Sequence, residues 1–428
     1  MALSHQAQQV ELDTGAKGLV VKIPGVHTVY MTFAFRAGAQ YVPAELCQVP
    51  HLIEHLAFTH PGEFTSQEAF SREFTRRAAS EDASTDEVHI TYEASCSLYE
   101  YERILGMIGK VIAEPTFTKE HFQVEKSTVL EELHADLNRD ARVFWQKANR
   151  LSGGGGCTDQ EKIESLADTT VEHIRDFYQQ SHVWENMRFV IAGDVSPEQV
   201  SRTIQGWKLN RGTRPDIRQD TLCTLTEPVL LEKPDYGTLD FSLSLFAPGT
   251  MSYEESAVWG FVHHLLFETY HSRVFGALRS KGTCYDIGAT HMNMMDNYRE
   301  LEVYGSSSHE HIEETLAHAI DELRKLVDGA ISDTEMAEVR EYVLGMYERQ
   351  LESPGEVASF YEGQYLLNES YITPEQAMDI VQSITPDMIA QYAREWIYKR
   401  TVRFGLIGDI DAAQATRLQA MANQLGVR

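Results

Sequence analysis

The chain has 428 residues, 43% of them hydrophobic and 24% charged, which is ordinary for a globular protein of roughly two or three domains. A net charge of −27 argues against a nucleic-acid partner, since neutralising phosphate needs Lys and Arg, and it favours basic or neutral polypeptides by long-range steering. Cys47, Cys96, Cys157, Cys223 and Cys284 are scattered and form no C-x-x-C, so a reduced, cytoplasmic setting is expected, with no secretory leader and no membrane span.

Residues 10–35 alternate and end in Val29-Tyr30-Met31-Thr32-Phe33-Ala34-Phe35, a strand pattern, and residues 36–40 read as a turn. The stretch His51-Leu52-Ile53-Glu54-His55 comes next. On an α-helix His51, Glu54 and His55 fall on one side, while Leu52, Ile53, Leu56 and Ala57 fill the other and face a core. Pro50 suits the first helical turn. Neutral imidazoles one turn apart bind Zn²⁺, a catalytic zinc takes three protein ligands and a water, and a nearby carboxylate accepts the water's proton. His51 and His55 are therefore candidate ligands and Glu54 the candidate base, in the inverzincin pattern H-x-x-E-H.

A helix is expected from Thr65 to Arg77, then Asp82-Ala83-Ser84-Thr85 leads into an alternating strand, Val88 to Ala94. His89 on that strand reads as a packed or surface residue. Tyr99 to Ala113 reads as a helix broken by Pro115, and Thr118 to Arg139 as a long one. Glu125 and Glu132 are two turns apart on one face of it. The residues alone leave Glu131, Glu132 and His134 open as a third ligand. The Gly-rich loop 152–157 lacks the Lys-Ser/Thr of a phosphate-binding loop.

Thr170 to Val195 aligns without gaps onto Thr385 to Ile410, and Phe189-Val190-Ile191-Ala192-Gly193-Asp194-Val195 matches Phe404-Gly405-Leu406-Ile407-Gly408-Asp409-Ile410. Two such helix–strand units predict two homologous halves: a domain over 1–208, a linker over 209–224 and a second domain over 225–428. In the second half a helix from Glu255 to Tyr270 carries His263 and His264, but no H-x-x-E-H. Adjacent residues diverge by about 100° on a helix, so this pair reads as packing or surface residues.

The H-x-x-E-H motif with Glu125 and Glu132 behind it resembles the pitrilysin-type (M16) zinc metallopeptidases. So does Ser272-Arg273-Val274-Phe275-Gly276-Ala277-Leu278-Arg279 with Tyr285 after it, and the resemblance runs from about residue 10 to 415. It implies an α+β fold of two homologous α/β sandwich domains, each a mainly antiparallel sheet packed with helices (M16/LuxS-like). It implies one Zn²⁺ per chain with Glu132 as third ligand and Glu125 as a supporting acid. It implies an edge strand at Asp82, Ala83 and Ser84 that pairs with substrate, with Asp82 where the family usually has Asn. Arg279 and Tyr285, one residue closer together than in the family pattern, are implied to reach the substrate from a facing second domain. The expected activity is a zinc endopeptidase acting on peptides or unfolded segments inside the chamber of a homodimer or a heterodimer with an M16-like partner. The alternatives are a subunit dedicated to one peptide precursor and a non-catalytic core-type scaffold.

Overall fold

The computed structural model describes residues 3–293, 298–398 and 400–426. Among them, six strands form a first sheet: β1 (Gln6–Glu11), β2 (Lys17–Lys22), β3 (Thr28–Arg36), β4 (Ser80–Thr85), β5 (His89–Ser97) and β6 (Met187–Gly193), in the order β1-β2-β6-β3-β5-β4. Five form a second: β7 (Val229–Glu232), β8 (Leu239–Pro248), β9 (Asp286–Asn293), β10 (Tyr298–Ser307) and β11 (Thr401–Gly408), in the order β7-β11-β8-β10-β9. β2 pairs parallel with β6 and β7 with β11, and the remaining ladders are antiparallel. Dropping β1 makes the two orders match strand for strand. This is the mixed α/β, two-sheet architecture that the internal repeat predicts.

The repeated glycines have a steric reason. A Cβ on Gly193 would meet Val29 Cγ2 at 2.9 Å, and one on Gly408 would meet Thr238 O at 2.7 Å. Both strands therefore end against a neighbour that only glycine admits. The single strand pattern of 10–35 resolves into three strands with turns near Gly15 and Gly25, both at positive φ. The helix expected from Thr65 to Arg77 is shorter, Gln67–Phe74, because Arg77 and Ala78 take positive φ (67° and 59°). Thr118 to Arg139 also ends early, as Lys119–Asp136, and a separate helix, Asp140–Leu151, follows.

The chain divides into two compact units, neither of them continuous: Met1–Leu137, Gly156–Arg218 and Glu348–Thr373 in one, Asn138–Gly155, Gln219–Tyr347 and Pro374–Arg428 in the other. In the first unit, Phe33, Phe35, Ile90 and Phe189 on one sheet face pack with Leu52, Leu56, Ile104 and Val129 from helices. The opposite face, Leu19, Val21, Val190 and Ala192, is covered by the late helix Pro354–Asn368 through Val357, Ala358, Tyr361 and Tyr365. β6 is buried along its whole length, consistent with a strand covered on both faces. In the second unit the helix Asp140–Leu151 does the same for the second sheet, setting Phe144 and Ala148 on Val229 and Ile407.

Polar groups are buried under the late helix as well. Thr32 donates its hydroxyl to Glu362 and Tyr30 donates to Glu93. Burial pushes the Glu362 carboxyl up to about 7, with the Glu93 charge adding to it and the Thr32 hydrogen bond opposing. A carboxyl raised in the folded state stabilises the fold fully below its ordinary value of 4.5, and that contribution is lost as pH rises through about 7. Glu362→Gln should therefore flatten the fall in stability between these pH values and raise the urea midpoint at pH 8. Urea curves at pH 5 and pH 8 for both proteins check it, and equal pH dependence would refute it.

Candidate metal centre

Helix Val49–Ala57 has Pro50 in its first turn and buries Val49, Leu52, Ile53, Leu56 and Ala57 completely. Its other side leaves His51, Glu54 and His55 half-buried. It packs against helix Lys119–Asp136, whose N-cap Thr118 accepts from the His121 N–H and whose buried residues are Phe122, Val129 and Leu133. On the side facing the first helix stand Glu125 and Glu132, two turns apart.

The ligand atoms of His51, His55 and Glu132 lie within 4.8 Å of one another. The two Nε2 atoms are 3.2 Å apart, and each is 3.7 Å from Glu132 Oε2. Tetrahedral ligands 2.0–2.1 Å from a zinc sit about 3.3 Å from each other. Two imidazoles and a carboxylate at these separations suit zinc, and Glu132, with a side chain 48% exposed, leaves the cluster open to solvent. Glu131 and His134 do not join it.

Each imidazole is oriented from behind. His51 Nδ1 donates to Gln48 Oε1 at 3.1 Å, and His55 Nδ1 donates to Glu125 Oε2 at 3.0 Å. An amide oxygen and a carboxylate can only accept, so both rings carry their proton on Nδ1 and turn the Nε2 lone pair toward Glu132. Glu125, only 14% exposed, thus acts through His55. Gln48 escaped the sequence reading; its signal is its place three residues before His51, on the same helix face.

Glu54 Oε2 accepts from the Thr85 hydroxyl at 2.6 Å, which ties the helix to β4. Burial raises the Glu54 carboxyl above its ordinary value. The Thr85 hydrogen bond and His55 oppose that shift, and the charges of Glu132 and Asp82 add to it. Thr85 was likewise missed as a site residue, although it closes the stretch that sequence reading singled out. β4 is the edge strand of its sheet, with Asp82, Ala83 and Ser84 along it, and Asp82 accepts from the Ala83 N–H at 2.9 Å. A cleft of about 300 Å³ opens here, lined among others by Glu54, His55, Phe58, Phe70, Asp82 and Ala83. His89, on β5, is buried, and burial pushes its imidazole down to about 4.

Arg279 and Tyr285 lie in the second unit, on helix Phe275–Lys281 and just before β9. Even with the shortened spacing they stand together: the guanidinium is 5.7 Å from the centre of the phenol ring, and the ring is 73% exposed.

Two family models match the chain: "Insulinase (Peptidase family M16)" over residues 19–146 and "Peptidase M16 inactive domain" over 168–343. An uncharacterized zinc protease of Rickettsia felis is 22% identical over 94% of this chain and 97% of its own length. Among solved structures, a protease from Helicobacter pylori superposes with a TM-score of 0.80 at 16% identity, over 94% of this chain and all of that one. A putative M16-like peptidase from Alicyclobacillus acidocaldarius gives 0.78 at 18% identity, over 95% and 99%. Among the described residues no helix is long and apolar enough to cross a membrane.

If Glu125 sets the His55 ring, Glu125→Gln should weaken zinc binding about 10–100-fold. Glu131→Gln, on a residue outside the cluster, should leave it unchanged. Competition with a chromogenic chelator reads both, and equal affinities would refute the orienting role.

Proposed function

We propose, for a chain that belongs to the M16 peptidase family, a zinc-dependent endopeptidase activity on peptides and unfolded polypeptide segments. The observation that carries this reading is the convergence of His51, His55 and Glu132 beside a half-buried Glu54 that is itself bonded to an edge strand. Zinc held by those three residues, one ion per chain, supplies a polarised carbonyl and an acidified water. Glu54 takes the water's proton and afterwards delivers it to the leaving amine. A carboxyl lifted by burial suits that exchange, since it holds a proton more readily than an exposed one. Thr85 keeps the carboxylate in place between the two transfers.

Substrate is proposed to enter as an extended strand along Asp82, Ala83 and Ser84, using the unpaired backbone groups of an edge. Side chains on one side of that strand would then fall into the cleft floored by Phe58 and Phe70. Arg279 and Tyr285, exposed side by side, are assigned to the substrate held by a partner chain, where a guanidinium and a phenol stabilise developing negative charge. Two such chains, identical or not, would enclose a chamber that admits unfolded segments, and the net charge of −27 would draw basic ones toward it.

The test is cleavage of a mixed peptide library by the zinc-loaded chain, read by mass spectrometry. Glu54→Gln should lower kcat/KM by about 10²–10⁴-fold while zinc content stays that of the wild type. A variant that cleaves as well as the wild type would overturn the assignment of Glu54.

A further inference from the structure

The repeat gives the second unit its own copy of the helix that bears the cluster in the first. Helix Tyr253–His263 follows β8 and packs against the edge strand β9, as helix Val49–Ala57 follows β3 and packs against the edge strand β4. It is pinned in place by Glu255, buried, which accepts from Trp396 Nε1 at 2.6 Å and from Arg299. At its C-terminal end the helix widens into a π turn, His264–Glu268.

That turn changes what the two histidines can do. A regular helix returns to the same side after three or four residues; a π turn, with its i→i+5 bonding, returns after four or five. Glu268 consequently comes back beneath His263, and its Oε2 lies 2.8 Å from His263 Nε2. His264 stands edge-on to His263 with ring centres 5.4 Å apart, and its Nδ1 is buried without a hydrogen-bond partner. Ligand atoms of His263, His264 and Glu268 all lie within 4.8 Å of one another, and His263 and Glu268 keep 27% and 38% of their side chains open to solvent. π turns inserted into α-helices occur often at functional sites.

We propose that His263, His264 and Glu268 form a second binding site for a zinc-class divalent cation, with the same donor types as the first cluster, at the end of the corresponding helix of the repeat and on the π turn that continues it. His264 Nδ1 lacks an orienting partner of the kind that Gln48 and Glu125 give the imidazoles of the first cluster, which makes this the weaker site. A cation there would brace the turn whose carbonyls at Leu265 and Leu266 accept from the N–H groups of Arg273 and Val274 at 3.1 and 2.8 Å. Those residues lead directly into the helix that carries Arg279. The site is proposed as structural, not hydrolytic.

The chain is stripped with a chelator and titrated with Zn²⁺ against a chromogenic competitor, and with Co²⁺ by visible absorption. Wild type should take two cations per chain. The double variant His51→Gln, His55→Gln should keep the weaker one, and Glu268→Gln should keep only the tighter. A wild type that binds a single cation, lost in the double variant and kept in Glu268→Gln, overturns the proposal. So does a Glu268→Gln chain that still binds two. A single cation kept in the double variant and lost in Glu268→Gln would uphold this site and sink the peptidase cluster instead.

Discussion

Two helices must keep one rotation about their axes for the metal cluster to exist. Its imidazoles come from Val49–Ala57 and its carboxylate from Lys119–Asp136, so a slip of one residue on either would swing the ligands by about 100°. Two hydrogen bonds pin single points of it, His55 to Glu125 between the helices and Thr85 to Glu54 from β4. Glu132 and Asp82 repel Glu54, and the Glu54 carboxyl is raised mainly by burial and further by these charges. What holds the rotation is the apolar side: Leu52, Ile53, Leu56, Val129 and Leu133 lie in one core with the sheet. Each such side chain stabilises the packed arrangement by about 1.5–3 kcal/mol. The like charges are the strained part of the site, and the buried leucines are what tolerates them.

The part of this site that depends on helical period was legible from the residues. His51 and His55, and Glu125 and Glu132, share faces because 3.6 residues make a turn. The repeat was legible too, since Gly193 and Gly408 stand where no side chain fits. What periodicity cannot supply is a partner from elsewhere in the chain. Thr85 reaches Glu54 only after β4 has paired with β5, and the residues alone did not separate Glu132 from Glu131 or His134. The histidine pair of the second half was read on a regular helix, whereas His264–Glu268 is a π turn that brings Glu268 to His263.

The edge strand has a competing partner built in. Asp82 already accepts from the Ala83 N–H. An incoming peptide that used this donor would have to turn the carboxylate away, toward solvent or toward a cation on the peptide. Asn in that position could accept from the backbone in the same way without the charge. The acid therefore gives the strand a preference by sign that its backbone alone would lack.

The exchange of segments between the units sets an order of events during synthesis. Every residue of the metal cluster lies before Asn138, yet the helix that covers the far face of the first sheet spans Pro354–Asn368. A nascent chain that has left the ribosome as far as β6 owns a complete set of ligands and a bare apolar β surface formed by Leu19, Val21, Val190 and Ala192. Maturation of the first unit must wait for translation to reach Asn368, past most of the second. Until then its exposed sheet is a natural target for holding chaperones, and a premature stop between Gly193 and Pro354 leaves that target permanently uncovered.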